Sequence, residues 1–116
     1  MSKNSAAYQQ YITGRSPQSS YLQDGVKFDG VRGNTLLDAK ANFDGFIDKK
    51  TGLFYDWFKG HVAIVDQASR QIGAANGSTI EWHFQTELGR NAVEQVLKNE
   101  GITGITLIHT YMPIVK

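Results

Sequence analysis

Apolar and polar residues along this chain recur at two spacings, one suited to strands and one to helices, and together they divide it into elements. In SAAYQQYITG, Tyr8, Tyr11 and Ile12 stand at roughly helical spacing and Gly14 follows as a stop, which predicts a short first helix. RSPQSS is loop by composition. YLQDGVKFDGVRGNTLLDAK reads as strand, turn and strand, with GVRGN (residues 30–34) as the turn. From Phe43 to Lys59 no period is sustained, so a long loop is predicted, passing into a helix near Tyr55. WFKGHVAIVDQASRQIGAAN carries a helical stripe of Val62, Val65, Ala68 and Ile72 that stops at Asn76-Gly77. STIEWHFQT is a strand, ELGRNAVEQVLKNEG an amphipathic helix closed by Gly101, and GITLIHTYM a final strand. The order is helix, two strands, helix, strand, helix, strand. It predicts an α/β domain on a mixed sheet.

Three residues break the apolar logic of the strand pair. Phe28, Val31, Leu36, Leu37 and Ala39 are residues a sheet buries, whereas Asp29, Asp38 and Lys40 normally face water. Asp38 and Lys40 are two apart, so strand alternation puts them on one face, and a hairpin brings Asp29 opposite Asp38. The three charges are expected to converge at a solvent-accessible sheet edge. Two close carboxylates repel, and a divalent cation or a shared proton relieves that repulsion. With a lysine beside them they are the parts of metal-assisted phosphodiester hydrolysis. The bland alternative is a turn-capping Asp29 and a surface pair of Asp38 and Lys40.

Composition narrows the chemistry. A length of 116 residues suits one domain, and no apolar run approaches the roughly 20 residues that span a bilayer, so membrane insertion is not expected. Cysteine is absent, which leaves oxygen and imidazole donors for any metal and favours a hard ion such as Mg²⁺ or Mn²⁺. A net charge of +1 provides no broad basic field, so composition does not announce nucleic-acid binding. The start MSKNSAAYQQ lacks the basic and apolar regions of a secretory leader.

These residues resemble the PD-(D/E)XK nuclease superfamily, with its restriction-endonuclease-like mixed β-sheet flanked by helices. In that fold an aspartate and a (D/E)-x-K tripeptide lie on consecutive strands. More closely the chain resembles the Tox-REase-5 toxin domains at the C-termini of bacterial polymorphic and type VI secretion effectors. The resemblance rests on YQQYITGR, GVKFDG, LLDAK, QASRQ, EWHF and GITLIHT, which span nearly the whole chain. It implies a single nuclease toxin domain over residues 1–116, carried at the end of a longer effector. It implies metal binding by Asp29 and Asp38, catalysis by Lys40, and supporting roles for Gln67 and Gln71, one helical turn apart. It further implies a DNA substrate, delivery into the cytoplasm of competing bacteria, and a cognate immunity protein. Many superfamily members place a glutamate on the first helix, whereas no acidic residue precedes Asp24 here, and Gln9 or Gln10 is at best a weak substitute. That departure supports a rival reading, a catalytically inert nuclease-fold domain that binds nucleic acid or a protein.

Other residues carry less. Arg15, Lys27 and Arg32 flank the hairpin as candidate phosphate contacts. Glu81 is a candidate accessory ligand, and His83 on the same strand face reads first as a structural histidine; His61 and His109 are isolated. Phe54, Tyr55, Trp57 and Phe58, interleaved with Lys49, Lys50 and Lys59, suit either base stacking or hydrophobic packing, and Trp57 is expected in the core.

Overall fold

The Ser2 hydroxyl accepts the Ser5 N–H to start α1 (Lys3–Thr13), and Gly14 ends the helix in a left-handed conformation. The computed structural model describes residues 1–116. Two hairpins follow. β1 (Tyr21–Gln23) and β2 (Val26–Phe28) pair antiparallel across Asp24-Gly25, both at positive φ, the backbone that a tight two-residue hairpin turn requires. β3 (Gly30–Arg32) and β4 (Thr35–Lys40) pair antiparallel across Gly33-Asn34. The expected strand, turn and strand is therefore two hairpins hinged at Asp29. The Asp-Gly turn lies inside what reads as the first strand.

The stretch expected as a long loop contains a 3-10 turn at Asp44–Phe46 and a small hairpin of β5 (Ile47–Asp48) and β6 (Leu53–Phe54). The next helix, α2 (Gly60–Ala74), begins five residues later than Tyr55. β7 (Thr79–Phe84), α3 (Glu87–Asn99) and β8 (Thr106–His109) complete the chain. Thr86 caps α3 by accepting the Gly89 N–H.

The main sheet has the order β3-β4-β7-β8, with β3 antiparallel to β4 and the other neighbours parallel. This is the mixed α/β class expected. On one face Leu36, Ile80, Trp82 and Phe84 meet Phe28, Ile64 and Ala68 from one side and Val93 and Leu97 from the other. Each such large apolar side chain contributes about 1.5–3 kcal/mol through burial. α1 packs across β3 and β4 on the opposite face, burying Tyr8, Gln9 and Ile12.

Three expectations are corrected. β4 lies between β3 and β7, so Asp38 and Lys40 stand on an interior strand and not at a sheet edge. α2 buries Ile64, Ala68, Gln71 and Ala74, while Val62 is 66% exposed. Ala68 and Ile72 of the expected stripe do pack on the core; the inward row runs through Ile64 and, by its bond to the Trp82 indole, Gln71, and leaves Val62 outside. Trp57 lies 59% exposed and stacks on Tyr55, because Phe43, Phe54 and Phe58 already occupy the core side of that aromatic cluster.

Gly30 sits where α1 crosses β3, directly after Asp29. A Cβ there would stand 2.9 Å from both Cβ and Cγ2 of Thr13. Gly30→Ala is expected to destabilise the fold by about 1–3 kcal/mol, read as a lower urea midpoint with an unchanged slope. An unchanged midpoint would show that α1 is not tightly seated on β3.

Candidate active site

The β3–β4 register pairs Gly30 with Leu37, which brings Asp29, one residue before β3, opposite Asp38. The two residues then lock reciprocally. The Asp29 N–H donates to Asp38 Oδ1 at 3.3 Å, and the Ala39 N–H donates to Asp29 Oδ2 at 2.8 Å. Side-chain oxygens thus continue the antiparallel ladder past its last regular pair.

Strand alternation places Leu36, Asp38 and Lys40 on the face that α2 covers, and α2 lowers Gln67 onto them. The Lys40 ammonium donates to Asp38 Oδ2 at 2.6 Å and to Gln67 Oε1 at 2.5 Å, and Gln67 Nε2 donates to the same Asp38 oxygen at 3.1 Å. Asp38 is only 3% exposed, so these donors and the Asp29 N–H are its replacement for water. Lys40 also lies 4.3 Å above the ring centre of Trp82, the residue paired with Asp38 across the β4–β7 ladder. Beside this knot opens a cleft of about 280 Å³, lined by Val26, Lys27, Asp29, Asp38, Gln67 and Arg70.

The two carboxylates differ. Burial pushes the Asp29 carboxyl up to about 6, and the neighbouring Asp38 charge adds to the shift; the Ala39 N–H, Lys40 and Lys27 oppose it. Only one Asp29 oxygen is engaged by a protein donor. A hard divalent cation needs oxygen ligands and relieves mutual carboxylate repulsion, so the pair fits such an ion by donor chemistry. No group of three His, Asp or Glu side chains stands together, so waters and substrate oxygens would have to complete its shell.

The structure brings Asp29, Asp38, Lys40 and Gln67 together; Asp29, Asp38, Gln67 and Lys27 line the cleft, while Lys40 is held by Asp38 and Gln67 and does not itself line it. Gln71 lies fully buried one turn farther along α2 and accepts the Trp82 indole N–H at 2.7 Å, so it does not reach the cleft. Arg15 and Arg32 do not line the cleft either; Arg32 donates to the Ile12 carbonyl at the end of α1. Glu81 and His83 bond each other on the opposite face of β7, with the other His83 ring nitrogen on Thr110, which gives the histidine a structural role and removes Glu81 from the carboxylate pair. Gln9 and Gln10 supply nothing to the cleft. Arg70 lines it and was missed by sequence reasoning. Its signal was its position three residues after Gln67 on the same helix face.

The geometry reverses what charge removal does at an exposed edge. Lys40→Met strands a buried carboxylate and is expected to cost about 3 kcal/mol in urea unfolding, whereas Asp38→Asn/Lys40→Met recovers most of that loss. Equal stabilities would mean the pair is solvated. The Asp29 shift also sets a pH dependence. A carboxyl whose folded value is raised favours folding fully below its unfolded value near 4 and loses that contribution as pH rises through about 6. Asp29→Asn is therefore expected to raise Tm relative to the parent at pH 8 in chelator and to lose the advantage at pH 4. The opposite order would refute the raised value.

A family model described as restriction endonuclease fold toxin 5 (Tox-REase-5) matches residues 5–87, which takes in most of α1, all three hairpins, α2 and β7. No curated protein matches the chain.

Proposed function

Because the chain belongs to the restriction endonuclease fold toxin 5 family, we propose that its cleft hydrolyses phosphodiester bonds in DNA, as the weapon domain of an effector delivered into competing bacteria. The observation that carries this reading is the convergence of Asp29, Asp38 and Lys40 beside a cleft walled by Lys27 and Arg70. Asp29 and Asp38 would hold a Mg²⁺ or Mn²⁺ ion, which when bound polarises a phosphate and activates water. Lys40, held by Asp38 and Gln67, presents a fixed positive charge next to the place where charge develops on the phosphate oxygens. Lys27 and Arg70 offer further cations along the cleft lining for the flanking backbone. Arg70 is held at rest by Asp66 at 3.0 Å, an exposed pair that a phosphate displaces at little cost. No helix of the protein is long and apolar enough to cross a membrane. A domain that cuts DNA endangers its producer, so the reading includes an immunity protein that blocks it.

The two-carboxylate donor set also suits an inert domain that binds nucleic acid without cutting. Plasmid cleavage decides. The purified domain is expected to nick and linearise supercoiled DNA with Mg²⁺ and to stop in chelator. Asp38→Asn should be slower by about 10²–10⁴-fold, in the range of losing a principal catalytic group. DNA binding without cleavage in any divalent ion would establish the inert domain. Cleavage undiminished in Asp38→Asn would move the chemistry elsewhere.

A further inference from the structure

Trp82 and Gln71 stand behind the cleft, and neither touches it. Trp82 is fully buried, yet its ring face carries the Lys40 ammonium at 4.3 Å and its Nε1–H donates to Gln71 Oε1 at 2.7 Å. Gln71 is fully buried as well, and its Nε2 has no partner within the chain. A core position filled only for packing has no need of an indole, and a helix packed on a sheet has no need of a buried amide with an orphan donor. Both become intelligible if the indole must stand at one angle. A face-on ring attracts a cation, whereas a tilted ring presents its positive edge. The Gln71 carbonyl fixes that angle from the ring's edge, where the Nε1–H points.

We propose that Gln71 and Trp82 form a positioning pair that holds the Lys40 ammonium against Asp38 and Gln67 beside the cleft, with Gln71 acting only through the indole. Asp38 and Gln67 accept from the ammonium and the ring supports it, so two of its N–H bonds stay directed while the carboxylates engage a ligand. This rests on the nuclease reading for its effect on rate, though not for its geometry. It also reassigns Gln71 from a catalytic group to one that positions another.

The test has two arms. In a Trp57→Phe background, where Trp82 is the only indole, the Trp82 Nε1–H signal is followed by ¹H–¹⁵N NMR. It is expected downfield, to move upfield in Gln71→Leu, and to differ between Asp38→Asn and Asp38→Asn/Lys40→Met, which isolates the ammonium. An indole signal indifferent to both changes would overturn the proposal. In the second arm, Gln71→Leu and Trp82→Phe are each expected to lower kcat for plasmid cleavage about tenfold with KM within about twofold. The double variant should fall no further, because both act through one contact. Full kcat in folded single variants, or losses that multiply in the double, would also overturn it. If Trp82→Phe does not fold, Gln71→Leu carries the arm alone. If the parent protein cuts nothing, the nuclease reading fails while the indole signal still decides the positioning pair.

Discussion

A carboxylate buried in the middle of a four-stranded sheet must be neutralised where it lies, and the way Asp38 is neutralised dictates much of this structure. Lys40 can reach it only from the same strand face, two residues on. Gln67 can reach it only if α2 lies over β4 with that glutamine beside its largely apolar buried row. The Asp29 N–H can reach it only if the chain kinks between two hairpins. Four elements thus take their relative positions from one acid. Replacing the pair by apolar residues of similar volume would build as good a core, or a better one. The charges are explained by what they can do to a ligand more readily than by what they do for the fold.

The same constraint explains which parts of the structure were legible in the sequence. The three helices and the last two strands of the main sheet follow from period and stop signals, because their buried faces are apolar and their ends carry Gly14, Asn76-Gly77 and Gly101. The first hairpin was hidden because Asp24-Gly25 lies within a run whose strands are only three residues each. Strands that short carry too few alternations to separate one from two. The stripe on α2 was misplaced at Val62, though not at Ala68 or Ile72, because Gln71 counts as polar in any pattern although it is fully buried. Burial of a glutamine is decided by its partner, and the partners lie on other elements.

The site divides the same way. Asp29, Asp38 and Lys40 were readable because their relation is local: a register and an alternation. Their burial was not, since nothing within residues 25–40 says that β7 will pair on the far side of β4. Arg70 and Trp82 come to the site by way of α2 and β7, so no spacing on the hairpin points to them. Arg15 and Arg32 stay off the cleft wall for the converse reason. They are near the carboxylates in sequence, yet the crossing of α1 over β3 engages Arg32 at the helix end and leaves both off the cleft wall.

The two aspartates sit in opposite states, and the contrast bears on how a ligand would be received. Asp38 is satisfied by Lys40, Gln67 and the Asp29 amide before anything binds. Asp29 has one engaged oxygen, a raised pKa and the Asp38 charge for a neighbour, so near neutral pH its ionised form opposes folding. A cation that entered the cleft would reverse that sign, because the charge that burial and Asp38 disfavour is the charge that the cation attracts. Ligand affinity and fold stability are then coupled through a single carboxyl, and stability rises with the logarithm of ligand concentration above its Kd. Asp38 holds the architecture in place without the ligand, and Asp29 is the residue left with something to gain from it.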